Sequence, residues 1–285
     1  MTSQNVVSYV KRTLNISKAG HTGTLDPGAA GVLPVCIGKA TRISEYLMND
    51  RKRYRTEMRI GLKSVTLDGY SPIESVDIPD IDEGDLYDAL EGFKGTIEQV
   101  PPMFSALKHN GVKLCDLARR GVTIDRKPRS ISIFELNIID IRFPVIMFDV
   151  LCSKGTYIRT LCSDIAHSLG TDAIMTFLLR TATGPFDISD SITLDELSER
   201  AERDRIGEVM RPMEFALQGW GRIYVDRHVS EMVRHGVGFA LDSNVKTVKG
   251  DHNEAMLIFD SEGSFIAVGE ASGDGGFISI DKVFA

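Results

Sequence analysis

Residues 20–42 read GHTGTLDPGAAGVLPVCIGKATR: five glycines, a single acid at Asp26 followed by Pro27, and an apolar run over 32–37 closed by Gly38. Glycine admits left-handed backbone and close approaches that side chains forbid. Proline fixes its own φ and biases the residue before it, here the acid, away from helix. The stretch is therefore a shaped loop that presents a carboxylate, and the rest of the chain must fold around it. A phosphate cradle would require G-x-x-x-x-G-K-[ST] running into a helix, and that wording is absent. On glycine spacing alone two readings stay open: a structural turn ahead of a buried strand, or a loop that holds Asp26 for chemistry.

The chain has 285 residues, 42% of them hydrophobic, enough for one large domain and a small one. No apolar run approaches a membrane span, and the residues after Met1 do not form a basic-then-apolar leader, so a cytoplasmic protein with no membrane partner is expected. Cys36, Cys115, Cys152 and Cys162 sit in or beside apolar stretches without a C-x-x-C pair, which points to reduced, mostly buried thiols and to no metal site. The net charge of -7 hides a segregation. Residues 1–63 carry 11 Lys/Arg against 4 Asp/Glu, residues 64–99 carry 1 against 10, and residues 100–135 carry 7 against 3. Two basic segments flank an acidic one; a fold that brought both basic segments to one face would make a phosphate-binding surface.

Local patterns supply the elements. Val6, Val7, Val10 and Leu14 repeat at helical spacing behind the potential caps Thr2 and Ser3. Residues 53–62 alternate as a strand and place Tyr54 at its start, after Arg51, Lys52 and Arg53. A helix is expected over 83–93, and two antiparallel strands over 131–141 and 145–152. A helix is then expected over 160–169, preceded by Tyr157 and Arg159, two apart and on one face if the strand runs through them. Residues 176–186 read as strand and turn. Beyond 220, a short helix over 226–235 and strands over 255–258 and 265–269, with a turn at 260–263, complete a small unit.

The wording of the opening loop, G-H-T-G-x-L-D-P followed by L-P-x-C-x-G-x-A-T, resembles the reactive motif of the TruB family of tRNA pseudouridine synthases. Three further blocks resemble the same family: Lys52-Arg53-Tyr54, PPMFSALKHNG over 101–111, and KGTYIR over 154–159 with LLRTATGPF over 178–186. The resemblance spans roughly residues 1–190. It implies an α+β pseudouridine-synthase fold with a large mixed, mainly antiparallel sheet in residues 1–220, an RNA-clamping insertion at about 100–130, and a small PUA-like β-rich domain in 221–285. It places the essential carboxylate on Asp26, a base-stacking ring on Tyr54 and the carboxylate's partner on Arg159. His21, Tyr157, Leu178 and Arg180 become substrate-binding residues, with Arg180 near the RNA backbone or the loop. Relatives also carry an N-terminal strand ending in D-K-P-x-G that would precede Met1, and a start codon upstream of Met1 is the expectation for this chain.

The implied reaction is isomerisation of uridine in the T arm of tRNA, at position 55. It breaks C1'–N1, turns the uracil and joins C1' to C5, which requires an ionised carboxylate at the sugar but no metal, redox step or cofactor. A guanidinium beside such a carboxylate keeps it charged, and a stacked ring holds the freed base. The target must be flipped out of its stack, with His21 suited to the vacated space. The expected partner is tRNA, bound by a monomer without an obligatory protein partner. A tRNA-folding chaperone with weak or lost catalysis is the alternative from another class; a glycosidase would need a second well-placed acid that the motif lacks.

Overall fold

The computed structural model describes residues 1–241, 245–248, 250, 252–272 and 276–284. The chain forms two compact units. The first comprises Met1–Thr2, Leu25–Val32 and Met48–Ser191; the second comprises Ser3–Thr24, Leu33–Leu47 and Ile192–Ala285.

A seven-stranded sheet organises the first unit, in the order Phe186–Asp187, Ala173–Thr183, Lys52–Ile60, Val145–Cys152, Arg129–Arg142, Gly95–Gln99, with Ala30–Gly31 paired to Ala173–Thr183. Only that last pairing is parallel, so the sheet is mixed and mainly antiparallel. Strict alternation explains the central strand: Tyr54, Thr56, Met58 and Ile60 are buried while Arg53, Arg55, Glu57 and Arg59 point to the other face. Its neighbour buries Ile146, Phe148, Val150 and Cys152 in the same way. Each fully buried side chain of this size contributes on the order of 1.5–3 kcal/mol through apolar burial. On the outer face, Arg55 grips Asp149 with two bonds of 2.8 and 2.9 Å, and Arg53 reaches Glu135 at 2.6 Å. Thus the basic run 51–53 is not a free cationic cluster. Arg53 is paired, Arg51 lies 3.9 Å from the Phe134 ring centroid, and Lys52 is buried with Nζ on the Met48 and Asp50 carbonyls.

Two helices complete the core. Glu83–Gly92 begins at a capping box formed by Asp82 and Asp85 and buries Leu86 and Leu90. The second, Ile158–Ser168, is the helix expected over 160–169, begun two residues earlier. The strand ends at Cys152, Tyr157 is the N-cap, and Arg159 lies in the first helical turn rather than on a strand face with Tyr157. The β-branched wording around Ile158 and Thr160 favours a strand locally. The helix wins because Ile158, Leu161, Cys162 and Ile165 recur at helical spacing and are all buried.

Between Gln99 and Arg129 an excursion leaves the sheet. It contains a hairpin, Lys108–His109 with Val112–Lys113, turned at Asn110 and Gly111, whose φ values of 50° and 83° suit a tight Asn-Gly turn. Lys108, Lys113, Arg119, Arg120, Lys127 and Arg129 are exposed on it, whereas Arg126 is half-buried and donates to the Pro101 carbonyl at 3.1 Å.

The second unit holds the helix Ser3–Thr13, the antiparallel pair Ala19–His21 and Val35–Ile37, and a six-stranded sheet. The sheet order is Phe239–Ala240, Phe277–Val283, Phe265–Ala271, His252–Phe259, Trp220–Tyr224, Lys246–Val248. The helix Arg227–Arg234, capped by Asp226, packs near it over a core that includes Ile223, Val233, Ile258 and Ile278. The turn after Phe259 is held by Asp260, whose carboxylate accepts from the backbone of Glu262 and Ser264 at 3.1 and 2.9 Å. Among the described residues no helix is long and apolar enough to cross a membrane.

Candidate active site

The loop that carries Asp26 is fixed at three points. Its carbonyl accepts the Ala29 N–H at 3.0 Å, closing a turn with Pro27 second and Gly28 third. Gly28 has φ 78°, and a β-carbon there would collide with the Tyr70 hydroxyl, so the position accepts only glycine without rearrangement. Downstream, Ala30 and Gly31 pair in parallel with Leu179 and Arg180, and a β-carbon on Gly31 (φ 109°) would strike the Arg180 backbone. Val32 N–H then donates to the Arg180 carbonyl at 2.9 Å, and Arg180 Nε returns a bond of 2.8 Å to the Val32 carbonyl. The loop is thereby laid against the strand Ala173–Thr183.

Arg159, at 4% exposure, meets Asp26 with both edges of its fork: Nε to Oδ2 at 3.1 Å and Nη2 to Oδ1 at 3.4 Å. Two further donors are occupied, one on Nη2 by the Phe104 carbonyl at 2.7 Å and one on Nη1 by the Thr66 carbonyl at 3.4 Å. The Asp26 side chain stays 30% exposed. A fork held by two backbone carbonyls fixes a carboxylate rigidly while leaving one side of it open to a ligand.

Tyr54 stands opposite Arg180 on one side and Val150 on the other, in one core cluster with Leu178. Burial pushes its phenol up to about 12, with the Arg180 guanidinium acting in the opposite direction, so the hydroxyl is protonated at neutral pH. Leu178 is 7% exposed and lies opposite Thr56, whose hydroxyl donates to the Phe177 carbonyl at 2.8 Å. Tyr157 is half-buried, with Arg159 Cζ 5.7 Å from its ring centroid; burial raises its phenol above the usual tyrosine range. The charge of Asp26 acts on both phenols. Arg180 is 1% exposed, enclosed between the loop and Tyr54. His21 belongs to the second unit, at the end of Ala19–His21, where Nδ1 accepts the Gly23 N–H at 3.4 Å.

The structure thus brings Asp26, Tyr54, Tyr157, Arg159, Leu178 and Arg180 into the first unit. Sequence reasoning gave no role to the residues that hold Arg159 and Tyr157 from behind. These are the carbonyls of Thr66 and Phe104, invisible in a sequence, and the buried Gln99, whose Q-V-P-P wording was the one available signal. Burial raises the thiols of Cys36 and Cys152 to about 11 and that of Cys162 to about 12, which makes them unreactive packing groups. Among the described residues no group of His, Cys, Asp or Glu could hold a metal ion.

Solved structures share this architecture. The chain matches, over its whole length and 82% of the other chain, a chain in the crystal structure of a Cbf5-Nop10-Gar1 complex, with a TM-score of 0.79 and 27% identity. It matches a chain of an H/ACA RNP bound to a substrate RNA containing 2'-deoxyuridine with a TM-score of 0.77 and 25% identity, covering 100% of this chain and 82% of that one. The fold, with its large mixed sheet, is that of the pseudouridine synthases.

Family models narrow the class. The model described as TruB family pseudouridylate synthase (N terminal domain) matches residues 11–158, and that of the tRNA pseudouridylate synthase B C-terminal domain matches 159–218. The chain belongs to the TruB family. Proteins named tRNA pseudouridine synthase B from Alkaliphilus oremlandii and Clostridium tetani are similar to it. The first is 45% identical over 83% of this chain and 78% of its own; the second is 38% identical over 96% and 93%.

Proposed function

We propose that this enzyme converts uridine to pseudouridine in the T arm of tRNA, at position 55, with Asp26 as the essential carboxylate. The observation that carries the reading is the two-bonded Asp26–Arg159 pair, 3.1 and 3.4 Å, on a loop whose carboxylate remains open on one side. Relatives that are 38–45% identical bear the name tRNA pseudouridine synthase B, which supports tRNA as the substrate.

In this reading the target nucleotide is flipped out of its stack, at a cost of a few kcal/mol offset by the pocket. His21 contacts the space it leaves. Asp26 acts at the sugar while the C1'–N1 bond breaks. Tyr54 stacks on the released uracil, and Tyr157 and Leu178 wall it off from water. After the base turns, C1' bonds to C5, the C5 proton departs and N1 takes up a proton, so atoms and charge balance without a cofactor. Because the Tyr54 phenol is protonated at neutral pH, its hydroxyl enters as a hydrogen-bonding group rather than as a standing phenolate. The exposed cations of residues 100–130 track the RNA backbone. Residues 221–285 serve as the PUA-like part, and the enzyme works as a monomer without a protein partner.

A T-arm stem-loop tests the reading directly. Incubation should yield pseudouridine at position 55 and none when cytidine replaces that uridine. Binding without product would instead point to an RNA-folding role.

A further inference from the structure

We infer that Gln99 is a positioning residue for the reaction, acting through Tyr157 and the helix that begins there. The inference rests on the reading of Tyr157 and Arg159 given above and deepens it.

Gln99 is 1% exposed, the last residue of the strand Gly95–Gln99. Its amide engages both backbone groups of Tyr157. The Tyr157 N–H donates to Oε1 at 2.8 Å, and Nε2 donates to the Tyr157 carbonyl at 3.1 Å. A side-chain amide thus takes the part of a neighbouring strand for a single extended residue, whose φ and ψ are -100° and 108°. The same carbonyl also accepts the first helical bond, from Leu161 N–H at 3.0 Å. Gln99 therefore sets the entry of the helix whose second residue is Arg159.

Its place in the chain gives the clamp a second consequence. Gln99 pairs with Arg129 across the sheet, so residues 100–128 leave and return at this rung. Five residues into that excursion, the Phe104 carbonyl accepts Arg159 Nη2 at 2.7 Å. The root of the cationic insertion thus touches both Tyr157 and Arg159. A residue that only satisfied buried polar groups would matter for stability alone; one that aims Tyr157 and Arg159 matters for the rate once RNA is bound.

Gln99→Met keeps length and burial and removes both bonds. On the T-arm stem-loop, its single-turnover rate constant should fall by about tenfold to a hundredfold, as misplacement of reacting groups does, with RNA affinity held within about twofold. Gln99→Glu, which keeps the acceptor and loses the donor, should lie between, and it serves if the methionine variant fails to fold. In a Tyr157→Ala background, Gln99→Met should cost less than it does in the wild type, because the ring is gone while the backbone bonds of residue 157 still set the helix entry that aims Arg159. A wild-type rate for both variants overturns the inference, as does an undiminished loss in the Tyr157→Ala background. If Tyr157→Ala itself leaves the rate intact, the pocket role of Tyr157 fails, and the inference falls with it, by a distinct signature.

Discussion

Arg159 and Arg180 are both almost wholly buried, at 4% and 1% exposure, yet their donors point to different ends. Arg159 reaches from the first turn of a helix to a carboxylate that is 30% open, and two carbonyls hold it there. Arg180 reaches from a strand to the Val32 carbonyl and to Tyr54, both of them buried residues. One buried charge is turned toward a place where a ligand can stand; the other is enclosed as part of the frame. Burial alone therefore does not separate chemistry from scaffolding, but the accessibility of the partner does. We accordingly assign Arg180 a framing role, reaching RNA only through the loop it holds.

The largest effect that would break this contrast lies at Arg159. Arg159→Ala leaves Asp26 and two carbonyls without their donor. Turnover should fall by at least about a hundredfold, and stability by about 3 kcal/mol. Single-turnover kinetics and a thermal melt check both, and a rate within a few-fold of wild type would erase the distinction. Arg180→Met should act in the reverse proportion. Stability should drop by roughly 2 kcal/mol as the buried Val32 carbonyl loses its donor, with RNA affinity unchanged. A raised Kd with an unaltered melt would instead make Arg180 an RNA contact.

An effect confined to alkaline pH sharpens the frame around Arg180. The Tyr54 phenol stands at about 12 in the fold against its ordinary 10.0. A raised pKa means the folded state holds the proton more tightly. Its contribution is thus complete below pH 10 and is lost as pH rises through 12, about 2–3 kcal/mol in all. Tyr54→Phe should therefore lose less stability than wild type between pH 10 and 12 in alkaline unfolding. Equal losses would mean that Tyr54 is not enclosed as described.

The shape of the loop was legible because its glycines and Pro27 specify backbone conformation directly, Gly28 and Gly31 occupying positions that side chains cannot, whereas the residues proposed around it were named only through the family resemblance. Strands with strict alternation, such as Lys52–Ile60, were equally plain. The sequence left open whether the strand runs through Tyr157 and Arg159; the helix expected over 160–169 in fact begins at Ile158, so that Arg159 lies in its first turn. Gln99 escaped because a polar residue at a strand end ordinarily meets solvent, and nothing local tells that Tyr157 will arrive there 58 positions later. The helix Ser3–Thr13 was recognisable, but its membership of a unit with residues 192–285 follows from tertiary packing.

The central claim is that Asp26, held by Arg159, performs the chemistry on a uridine. Its most direct test is pseudouridine formation by Asp26→Asn on the T-arm stem-loop, measured beside RNA affinity. Asparagine keeps the shape and removes the charge, so product should vanish while Kd stays within about threefold of wild type. Substantial product from the variant would contradict the claim and take Asp26 out of its role.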